Sequence, residues 1–126
     1  MTTKYIGTKT LLAREENRGD KPGYAVQYSD GYVSWSPKDV FEEAYRAFEG
    51  DNQKLTFGDA LYFLKCGKAV ARLGWNGQGL SVSMQAPEDD YSKMTLPYLY
   101  LNYPDGRRVP WVASQTDMLE EDWMVL

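Results

Sequence analysis

Two short segments carry residue types suited to holding a polar, partly aromatic ligand. The first is Gly74-Trp75-Asn76-Gly77-Gln78-Gly79. Its glycines let backbone amides approach a ligand closely. Trp75 offers an indole face to a base, Asn76 an amide to a base edge or ribose hydroxyl, and Arg72 or Lys68 a cation to phosphate. The segment lacks both the dinucleotide fingerprint and the Gly-Lys-Ser/Thr of a phosphate loop. The same residues also read as a tight hairpin with Trp75 in the core. The second segment is Ser114-Gln115-Thr116-Asp117. It gathers three hydrogen-bonding side chains and a carboxylate at the start of a helical turn, where free amides can meet an anion. Asp117 can bind ribose hydroxyls. Equally, Ser114 with Asp117, or Thr116, can simply cap the helix. A binding reading and a structural one stay open at both segments.

Other chemistry is poorly supplied. The chain has no histidine, which removes the commonest general base, the usual hydrolase triads and the commonest metal ligand. Glu120, Glu121 and Asp122 are consecutive. They therefore point in different directions around a helix and read as a solvated face rather than a hard-cation site. The single cysteine, Cys66, excludes an intramolecular disulfide and a multi-cysteine zinc site and fits a reducing compartment; without an activating histidine it reads as a buried structural thiol. No catalytic residue, metal or cofactor is expected. A net charge of -4 gives no basic field for polymeric nucleic acid. No apolar run has the length of a membrane span or the character of a signal core, so a cytoplasmic location and no membrane partner are expected. Ten tyrosines and four tryptophans can build a core, a subunit interface or a stacking surface.

The elements that must position these residues read as α+β: a small antiparallel sheet with two short helices, preceded by a β-hairpin and helix. Residues 1–50 are predicted to form that N-terminal module and 55–126 a ligand-binding domain, with Glu49-Gly50-Asp51-Asn52-Gln53-Lys54 between them. Tyr5 to Lys9 and Thr10 to Ala13 read as strand, and Arg14 to Gly23 as an exposed loop. Asp30-Gly31 suits a two-residue hairpin turn that sets Tyr28 opposite Val33 and Val26 opposite Trp35. Ser36 is expected to cap a helix that begins at Pro37 and runs through Phe48. A second helix begins at Thr56, with Asp59 completing a capping-box variant, and stops at Gly67. Strands follow at 68–73 and 80–84. Gln85 to Leu96 reads as an irregular loop, Tyr98 to Asn102 as strand, and Tyr103-Pro104-Asp105-Gly106 as a turn. A helical turn from Met118 to Asp122 and a strand around Trp123 to Val125 close the chain.

Three ordered blocks together resemble a known family: Leu55-Thr56-Phe57-Gly58-Asp59-Ala60-Leu61, then Gly67-Lys68-Ala69-Val70-Ala71-Arg72-Leu73-Gly74-Trp75-Asn76-Gly77, then Pro110-Trp111-Val112-Ala113-Ser114-Gln115-Thr116-Asp117-Met118-Leu119 with Asp122-Trp123. They resemble the second-type Thoeris anti-defence domain of phages and prophages. That resemblance implies a small, non-enzymatic sponge for cyclic ADP-ribose isomers made by bacterial immune enzymes, with cyclic oligonucleotides captured by some relatives. It also implies a homo-oligomer, commonly a homotetramer, whose pockets lie between protomers and draw on Trp75, Asn76, Gln115, Thr116 and Asp117. The segment before Leu55 departs from the shortest members. A hydrolase of the same signals using Asp117 or Glu120, an oligomeric interaction module without a small ligand, and a binder of a host protein are the alternatives.

Overall fold

The computed structural model describes residues 1–75, 78–86 and 94–126. The chain divides into two compact units, Met1–Tyr45 and Arg46–Leu126, and its fold is α+β.

The first unit is an antiparallel sheet of β1 (Leu12–Glu15), β2 (Gly23–Gln27) and β3 (Val33–Pro37), in that order, followed by α1 (Lys38–Ala44). The predicted hairpin is present, but its register is corrected by one residue: Ala25 faces Trp35, Val26 faces Ser34 and Gln27 faces Val33. The loop is longer than a two-residue turn. The Tyr28 N–H donates to the Tyr32 carbonyl and the Gly31 N–H to the Tyr28 carbonyl, with Gly31 at φ +88. A one-residue slip exchanges the faces of a strand, so Trp35 shares Ala25's face and lies across Gly23, where any side chain would collide with its ring. The Trp35 indole N–H donates to the Glu16 carbonyl at 2.7 Å.

Four further expectations are corrected in this unit. Ser36 does not cap α1; it lies in β3, and Pro37 holds the cap position with no side-chain bond. The helix ends at Ala44 rather than Phe48, because Tyr45 is extended and folds its ring against Phe41, which also stacks on Tyr24 at 4.3 Å. Tyr5 to Lys9 form no strand. The first strand starts at Leu12 and runs into the stretch expected to be loop.

The second unit is a five-stranded antiparallel sheet in the order β7-β6-β5-β4-β8, formed by β4 (Val70–Arg72), β5 (Ser81–Gln85), β6 (Tyr98–Asn102), β7 (Arg108–Pro110) and β8 (Trp123–Val125). Helix α2 (Phe57–Lys65) packs on this sheet and α3 (Gln115–Leu119) precedes β8. The predicted cap of α2 is present in both directions: Thr56 Oγ1 accepts from the Asp59 N–H, and an Asp59 oxygen accepts from the Thr56 N–H. Helix α2 ends at Lys65, with Cys66 at its C-cap and Gly67 at φ +88 directly after. Cys66 is exposed, not buried, because it follows the last core residue of the helix, Leu64, by two residues, about half a turn, and so lies on the opposite side.

Ala60, Phe63 and Leu64 of α2 meet Val70, Val82, Trp123 and Leu55 in one core. Burying each large apolar side chain contributes about 1.5–3 kcal/mol. Leu55 and Trp123 exchange backbone hydrogen bonds, and buried Gln53 extends that edge by accepting from the Val125 N–H and donating to the Val125 carbonyl. Such pairing keeps a buried amide from costing desolvation free energy. No helix among the described residues is long and apolar enough to cross a membrane.

Candidate functional site

Strand β4 ends in a 3-10 turn, Leu73–Trp75, and this turn is tied to the far end of the chain by one guanidinium. Arg72 Nη1 donates to Asp117 Oδ1 at 2.9 Å, Arg72 Nε to Asp122 Oδ1 at 2.9 Å, and Arg72 Nη2 lies 3.4 Å from Asp122 Oδ2. The partners stand 45 and 50 residues away in sequence. The fork of an arginine satisfies two carboxylates in a way a lysine point charge does not. Asp122 completes the tie: its Oδ2 accepts from the Gly74 N–H at 3.0 Å, and its carbonyl accepts from the Leu73 N–H. Gly74 makes this approach possible, since a Cβ there would sit 3.1 Å from the Asp122 carboxylate and crowd the guanidinium.

Asp117 is the hub of the arrangement. Ser114 caps α3 through its hydroxyl, which accepts from the Asp117 N–H at 3.0 Å, while Asp117 Oδ2 accepts from the Ser114 N–H at 2.9 Å. The capping predicted for Ser114 and Asp117 is therefore present. The Asp117 carbonyl accepts from the Trp123 indole N–H at 2.8 Å, joining α3 to the core. Burial works against ionisation of Asp117, but the Ser114 N–H and the Arg72 guanidinium outweigh it and hold the carboxyl below its ordinary range. Asp122 is likewise depressed: burial opposes its charge, and Arg72 with the Gly74 N–H favours it more. The Asp122 carboxylate keeps Arg72 firmly protonated, with Asp117 adding to the effect.

Behind this network stand three tryptophans in edge-to-face contact: Trp75 with Trp123 at 5.4 Å, Trp111 with Trp123 at 6.1 Å, and Trp75 with Trp111 at 6.2 Å. Trp123 is fully buried, while Trp75 and Trp111 are half-buried. Trp75 thus belongs to the core through one edge and keeps part of its surface free. A groove of about 370 Å³ runs beside it, lined by Arg72, Trp75, Gln78, Leu80, Ser81 and Met124 among others. That volume is at the lower end of small-ligand sites. Gly79, at φ +70, closes against Pro104 so tightly that a Cβ would meet the proline ring at 2.8 Å.

The structure brings Arg72, Ser114 and Asp117 into one bonded set and attaches Trp75 to it through the tryptophan cluster. Gln115 and Thr116 are exposed on the first turn of α3. Asn76 and Gly77 lie outside the described residues, as do residues 87–93 of the long loop. Lys68 is exposed and takes no part in these contacts. The residue that the sequence pattern missed is Asp122. Read with Glu120 and Glu121 as a solvated face, it is instead turned inward onto Arg72, and its position directly before a core tryptophan was the available signal. Among the described residues, no cluster of acidic or cysteine side chains is arranged to hold a metal ion.

Comparison with known proteins falls on the same unit. Residues 55–126 match the Tad2-like family, described as the Thoeris anti-defense 2-like domain. A curated relative, Thoeris anti-defense 2 of Bacillus phage SP01, is 34% identical over 85 residues, covering 58% of this chain and 96% of the phage protein. The matched stretch contains the whole Arg72, Asp117 and Asp122 network and all three clustered tryptophans, and the chain belongs to the Thoeris anti-defense 2-like family.

Proposed function

We propose that this protein is a phage anti-defence protein that counters Thoeris immunity by binding and sequestering a cyclic ADP-ribose isomer, or a related cyclic nucleotide, without cleaving it. The observation that carries the reading is the arginine fork, which fastens the Trp75 turn to the start of α3 within the family-matched unit. A sponge needs a preorganised site, because ordering loops on binding subtracts from affinity. The fork and the capping box supply that order before any ligand arrives.

In this reading the free surface of Trp75 stacks on an adenine, and Asn76 and Gln115 read polar edges. Thr116 and Ser114 donate to phosphate or ribose oxygens, and amides near Gly77 meet the pyrophosphate. Arg72 and Asp117 border the site, and their first duty is to hold its two halves in register, since each already satisfies the other. A second protomer closes the groove beside Trp75, in keeping with the homotetramer that the resemblance implies. Hydrolysis of the same signals is less well supported. A general base needs a carboxylate poised near the working pH, whereas Asp117 is held below the ordinary range and committed to Arg72.

The test is to incubate the protein with a cyclic ADP-ribose isomer, denature it and analyse the released small molecule. Stoichiometric recovery of intact ligand is expected; product that accumulates with time would establish an enzyme instead. An isothermal titration with no heat from any such isomer or cyclic dinucleotide would favour an interaction module.

A further inference from the structure

Residues 1–11 have no secondary structure, and Tyr5 and Ile6 are 91% and 100% exposed. The stretch is nevertheless built like a strand, and it runs directly into β1. Strand β1 is an edge strand, paired on one side only, and all four of its residues are exposed. An open edge of this kind is a template for another strand.

The hydrogen bonding decides which residues are available. Glu16 donates its N–H inward to the Gly23 carbonyl. In an antiparallel pair inward and outward residues alternate, so Leu12 and Arg14 also face β2, while Ala13 and Glu15 present their backbone groups to the open edge. Continued along an extended chain, the same alternation turns the backbone groups of Leu11, Lys9, Gly7 and Tyr5 outward. Charge is complementary as well: residues 1–11 carry Lys4 and Lys9 and no acid, whereas β1 ends in Glu15 and is followed by Glu16, with Arg14 the one cation between Leu12 and Glu16.

We infer that residues 4–16 pair antiparallel with the same residues of a second copy about a two-fold axis at Thr10, joining two three-stranded sheets edge to edge. In this register Tyr5 meets Glu15 of the other copy, Gly7 meets Ala13 and Lys9 meets Leu11 as hydrogen-bonded pairs. Lys4 falls opposite Glu16, and Ile6 falls opposite Arg14, on the face that carries Ala25 and Trp35. The register about Lys9 would also set Tyr5 and Ile6 against the partner's β1, but it would place Lys4 opposite Arg14 and Lys9 opposite itself, like charges that destabilise a cross-strand pair. The contact is isologous, as a two-fold interface requires. It lies wholly outside the family-matched stretch and does not depend on the ligand.

The experiment is disulfide trapping in a Cys66→Ser background. Thr10 faces its own copy as a non-hydrogen-bonded pair, where Cα atoms lie about 4.5 Å apart, close enough for a disulfide. Thr10→Cys is expected to give a covalent dimer under mild oxidation at least tenfold faster than Ser29→Cys at the exposed hairpin tip. Adding Gly7→Pro removes one outward donor in open space. It should slow trapping severalfold with the circular dichroism spectrum unchanged. Trapping at Thr10 no faster than at Ser29, faster trapping with Leu12→Cys, or indifference to Gly7→Pro would overturn the pairing.

Discussion

The starts of α2 and α3 are built from the same parts and put to different uses. Each has a hydroxyl residue at the cap, an aspartate three positions on, reciprocal bonds between the two, and an arginine on the aspartate: Thr56, Asp59 and Arg46 at one, Ser114, Asp117 and Arg72 at the other. The surroundings differ. The Arg46 and Asp59 side chains are 36% and 21% exposed, whereas those of Arg72 and Asp117 are 11% and 13% exposed. Arg46 reaches one carboxylate from 13 residues away, while Arg72 reaches two across 45 and 50 residues and the Asp117 carbonyl also receives a buried indole N–H. One box only starts a helix. The other joins a glycine turn, a short helix and an aromatic core into a single edge.

The largest expected break in this comparison is Arg72→Met. It leaves Asp117 and Asp122 without the cation they share, and removal of one partner from a buried pair costs about 3–5 kcal/mol. Urea unfolding should show a loss near the lower figure, against about 1 kcal/mol or less for Arg46→Met, whose pair is exposed enough to be screened. Equal losses would erase the distinction. Next comes the carboxylate itself: Asp117→Ala should cost about 2–3 kcal/mol and Asp59→Ala about 1 kcal/mol, the usual value of a cap. A Tm series read against the same variants checks the ordering.

Acid separates the two boxes more finely. Asp59, Asp117 and Asp122 are all held below the ordinary carboxyl value in the folded protein; in each, burial opposes the charge and the arginine and backbone N–H groups overcome it. Their contribution is complete above the unfolded carboxyl pKa, about 4. It is lost as pH falls below that value through the folded ones. Stability should therefore be flat from pH 7 to about 5 and decline below 4, and Asp117→Asn should flatten that decline more than Asp59→Asn. The smallest effect on stability is expected at the exposed first turn of α3, where Gln115→Ala and Thr116→Ala should each change it by less than about 0.5 kcal/mol.

Much of this was legible along the chain. Helix α2, both capping pairs, the turn at 103–106 and the last strand follow from signals within four or five residues of one another. What local pattern did not supply was register and partnership. Asp30-Gly31 has the composition of a two-residue turn, yet Tyr28 and Tyr32 close a longer loop around it, and one residue of slip carried Trp35 to the opposite face. Ser36 has a capping side chain but is held in β3 by pairing with Tyr24. Asp122 sits in a run of acids, and only folding shows that its neighbour Trp123 anchors it toward Arg72. At Trp75 and Asp117 a structural role does not exclude a binding one: both residues have structural contacts, and Trp75 also lines the groove.

The most direct measurement of the central claim is isothermal titration of cyclic ADP-ribose isomers into the wild type, the Gln115→Ala/Thr116→Ala double variant and Asp59→Ala. Binding by the wild type and Asp59→Ala with similar Kd, and at least tenfold weaker binding by the double variant at unchanged Tm, is the expected result. Equal affinity in the double variant would place the ligand elsewhere, and absence of heat with the wild type would contradict sequestration of these signals.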